Sequence, residues 1–388
     1  MAAWWVMWLA ISLTPLNIFR APSWQVSAQF AAFVLLFLVG HVLAVLFGSA
    51  YATRDSRATE ASNALTLRQV VRVANWSCFF VLAFSLYLSG AFTDDFTEYF
   101  TKLRREEASG DSLTGSRLLD VATKAVAFPL AYTLTLVVLA VRIGPYRGML
   151  ILSTINILLF AYLWQVNYPL LHLFWFFVIY LLVGLKRGVT PDGKTLFFVF
   201  ALLALLIASA ANRFGGDLLG GIQRYVFGYH LAGFTFYDHH FRDPASVLHQ
   251  HTFGRSSLGS LEQYLEVFSR RLDLGFVAAS SENATYNSES IDLGADETII
   301  GNAFGTFLFG LYRDFNVVGI AIGAVLYGAM STHLLRRSSR SWACTSALYV
   351  LASAWMVGMM VNPIEQVHFW FAIVFLWVLS KVNRGFKL

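Results

Sequence analysis

Between Tyr237 and Arg255 the chain reads YDHHFRDPASVLHQHTFGR, nineteen residues that hold four of its nine histidines with two arginines and two aspartates. Histidine changes charge near neutral pH, so His249 and His251 are candidates for a general base. A zinc site over His239, His240, Asp243, His249 and His251 is the alternative, but established spacings such as H-E-x-x-H are missing, and no metal ion or other cofactor is expected. Arg224, Arg242, Arg255, Arg270, Arg271 and Arg313 share the same long polar region. Their planar, permanently charged forks match phosphate oxygens two at a time; pairing with neighbouring acids or lipid headgroups is the plainer use of the same group.

Two further constellations could carry chemistry. LYRDFNVVG, Leu311 to Gly319, places Arg313 and Asp314 at the mouth of an apolar run. A charge at bilayer centre costs about 2.5–3.5 kcal/mol, so such a pair either faces a cavity or partner, or marks the end of a span just outside it. TDDF, Thr93 to Phe96, sets Asp94 beside Asp95; acids there suit a catalytic pair, and equally the N-terminus of a solvated helix.

The elements that must position these residues are set by oil. The 388 residues are 57% hydrophobic and only 13% charged, against about 25% charged in a soluble domain. Apolar segments at roughly 3–19, 26–48, 71–90, 122–141, 148–164, 167–184, 195–211, 316–335, 342–361 and 367–382 predict one integral membrane domain, residues 1–388, of about ten helices. The first segment lacks a basic leader region and a small-x-small cleavage site, so it reads as a span that stays attached. Cys78 and Cys344 both lie in apolar runs, where neither a disulfide nor a cysteine metal motif is expected.

Charge orients the spans. Alternate short loops and the tail hold 15 Lys and Arg against three acids, while the other side holds 13 against 20. The basic side faces the cytoplasm, so both termini lie inside. The basic balance is therefore topogenic and no nucleic-acid partner is expected. Any chemistry belongs to the outside, in a loop at 91–121 and a large one at 212–315. Phe96, Tyr99, Phe100 and Leu103 suggest a helix lying on the membrane surface. Asp217 to Phe234 reads as an interfacial or re-entrant helix. SLGSLEQYLEVFSRRLDL carries Leu258, Leu261, Leu265, Phe268 and Leu272 on one stripe, with a Glu266–Arg270 pair on the polar side, and reads as a helix roofing the bundle.

GNAFGTFLFGLYRDFNVVGIAIGAVLYG, Gly301 to Gly328, resembles a segment of bacterial O-antigen polymerases, the Wzy-type oligosaccharide repeat-unit polymerases. Asn302, Thr306, Tyr312, Asp314, Phe315, Gly319 and Gly328 carry the likeness. Asn316 departs from it, standing where many relatives have glycine, though asparagine also tolerates a positive φ. GGDLLGGIQRYVFGY and the plan of many spans with one dominant outer loop are similar too. Arg104 and Gly115, and less closely Arg242 and Gly254, match an R-x10-G spacing that arises easily by chance. The resemblance implies a GT-C-like fold and an inverting, metal-independent glycosyltransferase in the bacterial inner membrane. It would act on undecaprenyl-diphosphate-linked glycans as donor and acceptor, with a chain-length-regulating co-polymerase as membrane partner. Arg242 and Arg255, with Arg224 and Arg313 beside them, would hold diphosphate; Tyr312 would line the site, and His251, His249 or Asp314 would take the acceptor proton. An O-antigen ligase, a polyprenyl-phosphate sugar transferase using Asp94 and Asp95, and a lipid-linked oligosaccharide transporter are the rival readings.

Overall fold

The computed structural model describes residues 1–47, 57–91, 93, 96–109, 111–141, 147–186, 193–213, 227–287, 290–295, 298–301, 305–338 and 341–385. Arg224, Asp94, Asp95 and Asn302, and most of the expected re-entrant helix, lie outside them, as does the side chain of Arg104. The described chain is almost wholly helical, and its only strands are the two-residue antiparallel pair β1 (Ile291–Asp292) and β2 (Ile300–Gly301).

Among the described residues, five stretches are long and apolar enough to cross a membrane: Trp24–Phe47 (α2), Leu67–Ser89 in α3 (Arg57–Ser89), Arg117–Val141, Tyr168–Leu185 in α8 (Tyr168–Lys186) and α13 (Phe307–Arg337). Shorter apolar helices occupy α1 (Ala2–Ser12), α7 (Arg147–Leu163), α9 (Gly193–Arg213), α14 (Trp342–Val357) and α15 (Val367–Gly385). Every apolar segment read from the sequence falls on one of these helices. The protein is an α-helical membrane protein. α1 is shorter than its apolar run, because Ser12 and Thr14 turn their hydroxyls back onto the carbonyls of Leu9 and Ile11, and Pro15 cannot continue the ladder.

Two compact units divide the chain. One comprises Ala52–Leu206, Arg337–Val350 and Phe371–Leu388. Here α3, α6 (Phe128–Val141) and α7 pack together, and Asn156 donates to the Asn75 carbonyl at 2.9 Å in the buried seam. The span over Arg117–Val141 carries a widened π turn at Thr123–Ala127, between α5 (Arg117–Ala122) and α6. Pro129 just beyond lacks the N–H of an ordinary helical bond. α4 (Phe96–Ser109), expected at the membrane surface, instead buries Tyr99 and Leu103 in this unit; the Tyr99 hydroxyl donates to the Leu163 carbonyl at 2.6 Å. A polar tip with a protein acceptor in reach favours that packing over lipid.

The other unit comprises Met1–Tyr51, Ile207–Arg336 and Leu351–Trp370. Trp355 is its centre, with the rings of Trp5, Phe33, Phe37 and Tyr327 at 4.1–5.3 Å. α2 meets α13 backbone to backbone: a Cβ on Gly328 would sit 2.0 Å from the Phe37 carbonyl oxygen, so only glycine fits. The same unit holds a layer of shorter helices, α10 (Tyr229–Arg242) and α11 (Arg255–Arg271), the latter packed on α12 (Ala279–Asn287).

α13 is broken at Phe315 (φ −145°, ψ 30°) and Asn316 (φ 58°, ψ −147°). Its first two turns carry Tyr312, Arg313 and Asp314; the partners of Arg313 and Asp314 lie on the segment from Gln250 to Ser257 and on α12. Past the break, a Cβ on Gly319 would come within 2.0 Å of the Leu311 carbonyl, so the motif glycine lets the two pieces overlap.

Candidate functional site

α11 begins at Gly254, which has no side chain to cap the free N–H groups of the first turn. Asp314 supplies the cap from another helix. Its Oδ1 accepts from Gly254 N at 3.0 Å, Ser256 N at 2.9 Å and the Thr252 hydroxyl at 2.6 Å, and its Oδ2 from Ser257 N at 2.8 Å. α12 is capped in turn by α11: Glu262 accepts from Ala279 N at 3.0 Å, and Glu266 from Ala278 N at 3.1 Å and the Ser281 hydroxyl at 2.5 Å. Arg270 bonds Glu266 at 2.5 Å, the pair expected from the sequence, though Glu266 is buried rather than on a solvated face.

Arg313 is the bolt through this layer, with 1% of its surface exposed. Nε donates to the Gln250 carbonyl at 3.3 Å, Nη1 to the Ala279 carbonyl at 3.2 Å and to Asn283 Oδ1 at 2.5 Å, and Nη2 to Glu282 Oε2 at 2.6 Å. Arg313 and Asp314, expected at the substrate, are thus under the layer. Their donors and acceptors are met by protein, because a charge this deep must be paired and hydrogen-bonded.

The remaining candidates lie along the segment that wraps these two residues. Arg242 ends α10 and keeps its side chain 62% exposed, with Nε 2.9 Å from Asp238 Oδ2. His249 donates from Nε2 to the Phe241 carbonyl at 3.2 Å, which fixes the tautomer and leaves Nδ1 as the basic atom. Tyr312 is buried, its ring 6.0 Å from His249 and 5.7 Å from Phe241. His251 is exposed beside Phe253. Arg255 is 42% exposed, bonded to Glu262 at 2.9 and 3.2 Å and to the Val277 carbonyl at 2.8 Å. The structure therefore brings His249 and Tyr312 together around Phe241, while Arg242, His251 and Arg255 keep separate partners in Asp238, Phe253 and Glu262. His240, next to exposed His239, is buried; Ser246 bonds its Nδ1 at 2.9 Å, and burial, with His239 beside it, lowers its pKa to about 4. Among the described residues no group of three His, Cys, Asp or Glu side chains is placed to hold a metal ion.

Sequence reasoning missed two acids, Glu365 and Glu282. Glu365, in the nine-residue connection between α14 and α15, accepts at Oε1 from Asn283 at 2.5 Å and Asn362 at 2.8 Å. Burial drives its pKa up to about 8, outweighing the two amides and Arg313. The signal was available as a lone carboxylate in NPIEQ between two apolar runs. Glu282 had none, since nothing local separates it from the other acids of the loop. In comparisons with known proteins, the chain matches no family model, no curated protein and no solved structure.

Proposed function

We propose that the chain spans the bacterial inner membrane about ten times and polymerises undecaprenyl-diphosphate-linked oligosaccharide repeat units into O-antigen or a related polysaccharide at the periplasmic face. One observation supports this above the rest. LYRDFN, the centre of the likeness to Wzy-type polymerases, holds the buried pair on which α11, α12 and the Gln250–Gly254 segment are assembled.

In this reading Arg242 and Arg255, half-exposed and joined by Arg224, hold the donor diphosphate and stabilise the charge it gains on leaving. The acceptor hydroxyl oxygen forms the new glycosidic bond as the anomeric carbon–diphosphate bond breaks with inversion. The bond pair leaves on the diphosphate, and the hydroxyl proton passes to His249 Nδ1 or to His251. Tyr312 holds the His249 ring, and Arg313 and Asp314 act as positioning residues. No step uses a metal ion. A membrane co-polymerase sets product length.

The test is turnover by purified protein of synthetic undecaprenyl-diphosphate repeat units with EDTA present. The expected product is a ladder spaced by one repeat. A single transfer that needs lipid A–core would make the protein a ligase, and no transfer with either acceptor would favour a transporter.

A further inference from the structure

α11 is amphipathic the wrong way round for a helix bathed in water. The residues it buries are small or polar: Ser256, Gly259, Ser260, Glu266 and Ser269. Those it exposes are Leu258, Leu265, Val267 and Phe268, with Arg270 the one charged residue among the described exposed positions of the helix. The chain leaving it adds Leu272 at 67% and Leu274 at 70% exposure. The inward polarity is satisfied chemistry: Ser256 N meets Asp314, Glu266 caps α12, Ser269 Oγ accepts from Phe276 N at 2.9 Å, and the Gly259 carbonyl accepts from Ser280 at 2.9 Å. An apolar stripe opposite a polar face whose helix-capping groups are bonded matches the lipid-facing helices of a membrane protein, where the surroundings are the oil.

The stripe also joins a surface already turned to lipid. Phe253, at the N-terminus of α11, stands with its ring centre 6.3 Å from that of Phe315, where α13 becomes a span. Both rings are exposed, and beyond them Val317, Val318, Ile322 and Leu326 are exposed down the span. Arg270, 74% exposed, has a long enough side chain to reach a headgroup phosphate from such a position.

We propose that α11 lies in the membrane interface, in the leaflet that holds the Phe315–Asn316 break, with Leu258, Leu265, Phe268 and Leu272 against phospholipid acyl chains. The outer layer is then anchored in lipid along one edge as well as bolted down by Arg313. This rests on the membrane reading of the spans and not on glycosyl transfer.

The test uses the native chain in liposomes containing a phospholipid with a photoactivatable diazirine in mid-chain, with adducts mapped by peptide mass spectrometry. Adducts on Leu258–Leu274 are expected in yield comparable to Ile322–Met330, and roughly tenfold or more above Asp243–Gln250. Labelling of the span with none on α11 would overturn the proposal. So would absence of lipid adducts on α11 together with inter-chain disulfides in Phe268→Cys, which would put a second copy on this face. A span that takes no label would remove the membrane reading and the proposal with it.

Discussion

Asn283 and Asn362 both donate to one oxygen of Glu365, and the Arg313 guanidinium is close enough to favour its ionised form. Full burial outweighs them and lifts the carboxyl from 4.5 to about 8, so it is largely protonated at neutral pH. The folded state then binds a proton that the unfolded chain has released. The stabilisation is fully present below about pH 4.5 and is lost as pH rises to about 8. Glu365→Gln keeps the shape and removes the titration. Its melting midpoint in detergent should fall less than the wild type's between pH 5 and 8, and parallel curves would refute the assignment. A lone acid between apolar runs announces that something holds it; which amides do so depends on a turn and a helix some eighty residues apart, and no local pattern records that.

At the scale of elements, α11 and the broken α13 depend on one carboxylate. Asp314 meets four donors around the first turn of a helix whose own N-cap is glycine. Asp314→Ala leaves those N–H groups buried without an acceptor, a loss of about 3 kcal/mol or more. Arg242→Ala removes the exposed half of an ion pair whose buried partner, Asp238, keeps the backbone N–H and hydroxyl of Ser23 as donors, so the loss is about 1 kcal/mol. The expected contrast is a lowered melting midpoint and lowered abundance for Asp314→Ala. Arg242→Ala should retain wild-type melting and abundance but lose long polymer. Full-length polymer from Arg242→Ala would end its assignment to the diphosphate. The helices themselves were legible: the periodicity of SLGSLEQYLEVFSRR gives α11, and the departure at Asn316 falls on a residue with φ 58°, a conformation asparagine tolerates better than most. The direction in which α11 faces was not legible. Amphipathic pattern fixes two faces and says nothing of which one meets oil, and here the inward face is polar because Asp314 and the start of α12 satisfy it.

For the whole molecule, the proposed topology, argued from the arginines and lysines of alternate loops, has both termini in the cytoplasm and the 212–315 loop on the opposite side. Apolar composition placed the five described stretches long and apolar enough to cross a membrane, since burial in lipid requires little beyond length and hydropathy. It could not place the outer layer, where Arg313, Glu282, Asn283 and Glu365 meet through contacts from three separate parts of the chain. The five shorter apolar helices decide the topology: if all cross, ten spans return the tail to the side where it began. A green fluorescent protein fused after Leu388 should then fluoresce, because it folds only in the cytoplasm. Ala245→Cys, on the exposed turn after α10, should react in intact cells with a thiol reagent that reaches the periplasm but does not cross the inner membrane. A dark tail fusion would mean an odd number of crossings. An unreactive Ala245→Cys would put Arg242, His249 and Arg255 on the cytoplasmic side, where the proposed glycosyl transfer has no place.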